Sequence, residues 1–564
     1  MLKKKKNMKS TLLCLTSILW VVAAHNHLPD GTAVVTEPQN VVAGSPGTPW
    51  PMPKSTSEFG TVMTIDPTNF KMLVNIKNCD IMNQTVQRYM KLTFLEKCLP
   101  IDSPRNSLSN SKKNSEKNKM IKANGMLYNI SVTVLGKCEK WPYLNMDEQY
   151  LLKIDSPDLP GKANLVSSTV WGALRGLETF SQIVYSLGDG KFGVNSTMIL
   201  DSPRFSHRGL LLDTSRHFVP VSVLKQNLDA MAYSKLNVFH WHIVDDQSFP
   251  YESLKFPKLS EMGAFIPKTH TYSQEEVADI INYARVRGIR VMAEFDTPGH
   301  TQSWGKGQPD LLTPCYSGGK PNGNFGPINP ILQSSYDFLA EFFGEITKVF
   351  PDNYVHLGGD EVDFSCWKSN PNITDFMKKH GFGSDYSKLE EYYEQKLVNI
   401  LQSLKKSYTI WQEVVDNGVK VDPNTVVHVW KDPQVQELQR VTSMGYKTLL
   451  STCWYLNYIS YGKDWPKYYT CDPQEFNGTE YQKSLIMGGE VCMWGEFVDG
   501  TNLISRTWPR AAAVAERLWS VADLKDADKA APRFEEHRCR MLKRGLRVQP
   551  GNGPSFCECD FVVS

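Results

Sequence analysis

The sequence predicts an α/β protein: a (β/α)8 TIM barrel over residues 201–564, ending in a helical tail, preceded by a smaller α+β domain over 54–200. Three observations point there. Eight short apolar runs recur after Gly209, helix-like stretches lie between several of them, and carboxylates and tryptophans gather where the runs end. Strands alternating with helices build parallel βαβ units. Eight such units close a barrel, whose functional residues sit at the C-terminal strand ends.

The runs are 210–212 (then Asp213), 238–244 (then Asp245 and Asp246), 289–295 (then Asp296), 354–357 (then Asp360 and Glu361), 409–411 (then Glu413), 425–430, 448–454 and 485–494 (then Glu496). The intervening helices are expected at 221–233, 273–287, 334–350 and 388–404, with a further helix from 506 to about 519. An open doubly wound sheet is the rival fold. It wants a Gly-rich phosphate loop, and neither GxGxxG nor GxxxxGK[ST] occurs.

Upstream, strand-like runs at 127–135 and 150–154 and a helical stretch over 164–187 make up the smaller domain. Inside it, 103–122 is rich in Ser, Asn and Lys, a composition that builds no core and reads as an exposed loop. Residues 25–53 read as a loose Gly/Pro/Thr-rich leader. Residues 1–24 read as a signal peptide: Lys3 to Lys6, an apolar stretch, then small residues at Val22-Ala23-Ala24. The apolar stretch is short for a transmembrane helix, and no later segment is long enough to span.

Export agrees with five Asn-X-Ser/Thr sites, at Asn83, Asn129, Asn195, Asn372 and Asn477. The 12 cysteines show no zinc spacing, so disulfides are the default in an oxidising compartment. The net charge of +2 gives no basic footprint for nucleic acid.

The sharpest segment is His356-Leu357-Gly358-Gly359-Asp360-Glu361-Val362. Strand neighbours point to opposite faces, but two glycines can bend the chain so that both carboxylates enter one pocket. Two carboxylates in one pocket do not ionise independently, and one pKa is pushed up, which suits a general acid. Trp411, Trp430, Trp454 and Trp494 fall at or near predicted strand ends. An indole face stacks on the apolar face of a sugar, and an aromatic box takes an acetamido methyl. His240 and His242 share one strand face near Asp245 and Asp246, but a lone i, i+2 pair is a weak metal pattern, so no metal or cofactor is expected.

The segments 207–217 (HRGLLLDTSRH), 240–249 (HWHIVDDQSF), 294–300 (EFDTPGH), 356–362 (HLGGDEV) and 494–496 (WGE) resemble those of family 20 glycoside hydrolases of the lysosomal β-N-acetylhexosaminidase type. The likeness runs over most of the mature chain. It implies a retaining exo-acting enzyme on terminal β-linked GlcNAc or GalNAc, in which the substrate's own acetamido group is the nucleophile. It implies Glu361 as acid/base, Asp360 as the residue orienting the acetamido group, and Tyr455 as the donor to its oxygen. It implies an acetamido pocket walled by Trp411, Trp430 and Trp494, hydroxyl contacts from Arg216 and Glu496, and support from Asp245 and His300. Asn457 and Tyr458 fall where related subunits differ: one type has Asn-Arg, suiting anionic substrates, the other Asp-Leu, and this chain has the Asn without the Arg. The resemblance pairs Cys79 with Cys138, Cys315 with Cys366 and Cys539 with Cys557, and leaves Cys98 and Cys559 open. It implies a glycan substrate, a homodimer and no metal, with lysosomal or extracellular residence. A carbohydrate-binding protein without activity and an endo-acting chitinase are the competing readings.

Overall fold

The computed structural model describes residues 41–99, 125–458, 460 and 462–560. The expected signal peptide, most of the leader and the polar loop at 103–122 lie outside the described residues.

The first sheet is built from β1 (Ser55–Ile65), β2 (Lys71–Val74), β3 (Gly125–Met126), β4 (Asn129–Val134), β5 (Tyr150–Ser156), β6 (Leu159–Ser167), β7 (Tyr185–Gly188) and β8 (Lys191–Asp201). Its order is β2-β4-β6-β5-β8-β1-β3, with β7 pairing β8. Helices Asp80–Thr93 and Val170–Ile183 belong to this part of the chain.

The helical stretch expected over 164–187 is corrected at both ends. Asn164 to Ser167 pair with β4 and β5 in strand β6, alternating buried and half-buried. Thr169 then caps the helix by accepting from the Gly172 N–H at 3.1 Å. Every residue of Val170–Ile183 is buried, which hides its polar boundaries from a periodicity argument. One face meets the sheet so closely that a Cβ on Gly176 would sit 2.3 Å from Leu165 Cδ1. The other side reaches the barrel, where Arg175 donates to the carbonyls of Arg287 (3.1 Å) and Gly288 (2.8 Å).

The second sheet is a closed, all-parallel barrel of β9 (His207–Asp213), β10 (Val238–His242), β11 (Arg290–Glu294), β14 (Tyr354–His356), β15 (Ser407–Trp411), β16 (Val426–Val429), β17 (Lys447–Leu450) and β18 (Ile486–Met493), in that order around the ring. Each of the eight predicted runs holds a strand, although 448–454 is strand only as far as Leu450. A hairpin of β12 (Leu312–Ser317) and β13 (Lys320–Ile328) inserts between β11 and β14. Helices occupy Val221–Tyr233, Gln274–Arg285, Gln333–Val349, Tyr386–Ser403 and Gln434–Ser443, and the tail is helical at Arg510–Trp519 and Ala527–Lys543.

The leader's last residues are not loose. Trp50 is fully buried, donates from Nε1 to the Ala512 carbonyl at 2.8 Å, and packs edge-on against Phe534. Pro51 and Pro53 beside it gave the composition of a linker, but one buried indole anchors the segment to the tail.

Disulfides join Cys79–Cys138, Cys315–Cys366 and Cys539–Cys557. Two more were not expected as pairs: Cys98–Cys559, which closes a separation of 461 residues, and Cys453–Cys471. Cys492 is free and buried. Asn83, Asn195, Asn372 and Asn477 are exposed, while Asn129 is half-buried in β4. No helix among the described residues is long and apolar enough to cross a membrane.

Candidate active site

The barrel mouth holds a pocket of about 140 Å³. It is lined by Arg216, His242, Asp245, Asp296, His300, Asp360, Glu361, Trp430, Tyr455, Asn457, Tyr458, Trp494 and Glu496.

The carboxylate pair gets there by backbone bending. After β14, Gly358 and Gly359 take φ of 71° and 94°. A Cβ on Gly358 would fall 1.7 Å from Asp296 Oδ1, and one on Gly359 would fall 2.4 Å from Val414 Cγ2. Glycine is therefore required at both positions, sterically as well as conformationally. Glu361 itself sits at φ 50°, a left-handed conformation that costs a non-glycine residue about 1–3 kcal/mol and concentrates at functional sites.

The two carboxylates end in different environments. Asp360 is 7% exposed, and its Oδ1 is buried without a hydrogen-bond partner among the described protein atoms. The Glu361 side chain is 56% exposed. His300 Nε2 lies 3.7 Å from Asp360 Oδ2 and 3.8 Å from Glu361 Oε2. Its Nδ1 contacts Asp245 Oδ1 at 3.2 Å. Burial works against a charge on His300, but Asp360 and Asp245 outweigh it and hold its pKa at about 9.

Sequence reasoning placed the retained proton within the Asp360–Glu361 pair. The structure adds a third carboxylate, Asp296, which is fully buried and accepts from the Gly359 N–H at 2.9 Å. Burial, then the neighbouring charges of Asp360 and Glu294, push its pKa well above the carboxylate range. Asp296 is thereby biased toward its protonated form.

Trp430, Tyr455 and Trp494 form the aromatic wall. Tyr455 stacks 6.1 Å from Trp430 and lies 6.4 Å from Trp494. Trp411 lies beneath, 6.4 Å from Trp430 and 6.2 Å from Trp494, with its Nε1–H donated to Glu294 Oε1 at 2.7 Å. Trp454 does not belong with them. The chain leaves β17 at Leu450 and enters a 3-10 turn over Thr452–Trp454, which turns that indole into the core, where it donates to the Tyr468 carbonyl at 3.0 Å.

Arg216 crosses the mouth. It pairs with Asp213 at 2.8 Å and Asp245 at 2.9 Å, reaches Glu496 at 3.7 Å, and lies 5.1 Å over the Trp494 ring. Asn457 Oδ1 is buried without a partner among the described atoms, and Tyr458 is 62% exposed at the rim.

Under the pocket, His242 bridges Glu294 at 2.6 Å and Asp245 at 2.7 Å. Burial opposes its charge, but the two carboxylates hold its pKa at about 10. Burial would raise the pKa of Asp245, yet His242 and His300 keep it well below the usual range. Sequence reasoning missed His242 and Asp296 as pocket residues and Glu294 as their support. The signal was present, because Glu294, Asp296 and His300 share one short segment at the end of β11.

A larger cavity, about 420 Å³, lies between Leu92, Tyr185 and Phe556. Its charges are already engaged: Arg540 with Glu536, Lys543 with Glu558 and Arg544 with Glu178. It offers no free carboxylate, so the chemistry belongs to the smaller pocket.

Residues 205–522 match the family described as "Glycosyl hydrolase family 20, catalytic domain". The chain belongs to glycosyl hydrolase family 20. Residues 49–183 match the description "beta-acetyl hexosaminidase like", the region that begins just before the buried Trp50. The chain is 49% identical over 522 residues to "Beta-hexosaminidase subunit alpha" of Bos taurus, covering 91% of this chain and 95% of that one. It is 55% identical over 422 residues to "Beta-hexosaminidase subunit beta" of Homo sapiens, covering 75% of each. Among solved structures it resembles a family 20 chitobiase of Flavobacterium johnsoniae, with a TM-score of 0.74 and 32% identity over 88% of this chain and 73% of the other.

Proposed function

We propose that this family 20 hydrolase is a retaining exo-β-N-acetylhexosaminidase that removes terminal β-linked GlcNAc or GalNAc from glycans by substrate-assisted catalysis. The observation that carries the reading is Asp360 Oδ1: a buried, unpartnered acceptor beside an aromatic wall and an exposed carboxylate. A buried carboxylate oxygen is costly unless it receives a donor. The N–H of a 2-acetamido group is such a donor, and the Trp430, Trp494 and Trp411 rings would enclose its methyl.

In the first step Glu361 protonates the glycosidic oxygen as the acetamido oxygen attacks the anomeric carbon. The leaving group departs with that proton, and an oxazolinium forms. Asp360 accepts from the nitrogen as positive charge develops there, and Tyr455 donates to the oxygen. In the second step Glu361 takes a proton from water, which attacks the anomeric carbon and reopens the ring with net retention. The nucleophile is already tethered, so orientation matters more than activation. Arg216 and Glu496 would hold sugar hydroxyls, while Asp245 and His300 hold the acid in place.

The base of the pocket supports exo action, because Trp411 and the buried histidine–carboxylate cluster close it. Rim chemistry bears on substrate choice: Tyr458 stands where a cation would favour sulfated or sialylated sugars, so neutral ends are the proposed substrates. The two mammalian relatives described above are named as subunits, and by that likeness we extend the proposal to a homodimer resident in the lysosome, reached through the secretory pathway. The test is turnover of a fluorogenic aryl β-N-acetylglucosaminide by wild type and Glu361→Gln from about pH 3 to 8. Turnover that the substitution abolishes supports the reading; a folded wild type without turnover overturns it in favour of a carbohydrate-binding role.

A further inference from the structure

The helix Tyr386–Ser403 runs behind the catalytic turn. Its inner stripe is Leu389, Tyr393, Leu397, Val398 and Leu401, yet Glu390 and Glu394 belong to it too. They are 0% and 1% exposed. One helical turn separates them, so the two carboxyls share a face. Glu390 Oε2 accepts from Asn417 Nδ2 at 2.9 Å. Glu390 Oε1 and Glu394 Oε1 are buried with no hydrogen-bond partner among the described protein atoms. Glu394 Oε1 lies 3.6 Å from where a Cβ on Gly359 would stand, one residue before Asp360. Asn417 ends the short helix Glu413–Asp416 that follows Trp411. Within that helix Glu413 accepts from Trp430 Nε1 at 2.8 Å and from Lys431 Nζ at 2.5 Å. The two glutamates thus back the Gly359–Asp360 turn and, through Asn417, the segment that carries Trp411 and holds Trp430.

The charged groups that act on the pair are acidic: Glu413 on Glu390, Glu390 on Glu394, and Asp360 in turn on Glu413. Cations of the surrounding segments are engaged elsewhere, Lys431 with Glu413 and Arg440 with Asp416 and Glu437. Tyr393 lies between the two glutamates on the helix, and burial with the Glu394 charge pushes its hydroxyl well above its ordinary value. Asp296 acts on that same tyrosine, and Tyr336 faces it from the helix Gln333–Val349 at 5.9 Å. A buried carboxylate without a cation is far costlier than the neutral acid. Burial, reinforced by Glu413 and partly offset by the Asn417 bond, raises the Glu390 pKa to about 7. Burial and Glu390 hold Glu394 well above the carboxylate range.

We propose that Glu390 and Glu394 are positioning residues that hold the Gly359–Asp360 turn and the Trp411–Asn417 segment only as neutral acids, so that the pocket is set in acid and loosens as pH rises. Neither touches substrate. The proposal rests on the hydrolase reading, since it concerns the same pocket. Both folded pKa values lie above the ordinary 4.5. The pair's contribution to stability is therefore whole below pH 4.5, and the Glu390 share is lost as pH rises through about 7.

The test compares the full-length wild type with the double variant Glu390→Gln/Glu394→Gln, because an amide mimics the neutral acid at every pH. Glu390→Gln alone takes its place if the double variant does not fold. The melting temperature, followed from about pH 5 to 8, should fall less steeply in the variant than in wild type. The ratio of kcat at about pH 8 to kcat at about pH 5 should be up to about tenfold higher in the variant, since one unit above a pKa of about 7 leaves roughly a tenth of the Glu390 carboxyl protonated. Melting reads the pair whether or not the chain cleaves a hexosaminide, so failure of the glycosidase reading, seen as no turnover by either protein, is told apart from failure of this one. Equal melting slopes overturn the proposal. A flatter melting slope with an unchanged turnover ratio also overturns it, because the pair then has no hold on the site.

Discussion

Two buried clusters of charge differ in one respect that decides what each can do. Where the first domain meets the barrel, Glu148 accepts from Arg175 at 2.8 Å, from Arg208 at 2.7 and 2.8 Å, and from Asn237 at 3.1 Å. Burial would raise its pKa, but the two guanidinium groups bring it below the ordinary value. Every oxygen is satisfied, and the cluster joins two parts of the chain. At the barrel mouth, Asp296, Asp360 and Glu361 crowd together with His300 as the nearest cation, and Asp360 Oδ1 is left without a partner. Full satisfaction fixes a structure; an acceptor left open inside a like-charged group is kept for a ligand.

Perturbing each cluster should have opposite signatures. Glu361→Gln is expected to lower kcat by about 10²–10⁴ with an unchanged melting temperature, read by steady-state turnover and calorimetry. Glu148→Gln should do the reverse, costing about 3–5 kcal/mol in denaturant unfolding with kcat per folded molecule retained, because two guanidinium groups lose their buried counter-charge. Tyr455→Phe should lower kcat by about 10²–10³, the typical loss of one donor to a developing charge. Trp454→Phe should leave KM and kcat alone and cost about 1–3 kcal/mol, because it strands the buried Tyr468 carbonyl. The smallest effect concerns pH. The folded pKa of His242, about 10, lies above the reference value of 6.5. Its contribution to stability is therefore whole below pH 6.5 and is lost as pH rises through 10. The melting temperature of His242→Gln should fall less steeply over that interval than that of wild type.

The barrel was legible because strands of a parallel sheet are buried on both faces and read as continuous apolar runs. The carboxylate pair was legible because the two glycines before it announce a bend. Trp454 was misplaced because periodicity does not show that a strand ends at Leu450 and turns in 3-10 geometry. The helix at Val170–Ile183 was drawn too long because its start is set by the pairing of Asn164 to Ser167 in β6 and by the Thr169 cap, which composition does not show. Trp50 was taken for linker because composition averages over a segment, whereas one indole decides it. Asp296 and Glu294 were overlooked because their importance comes from neighbours on other strands, His356, Asp360 and His242, which sequence distance hides.

The central claim is that the pocket uses the substrate's acetamido oxygen as the nucleophile. The most direct measurement compares kcat/KM for an aryl β-N-acetylglucosaminide with that of the matching N-trifluoroacetyl substrate. Fluorination weakens that oxygen without changing its position. The account predicts a loss of about tenfold or more, some 1.4 kcal/mol of transition-state stabilisation. Equal rates on the two substrates would contradict it and point to an enzyme carboxylate as the nucleophile.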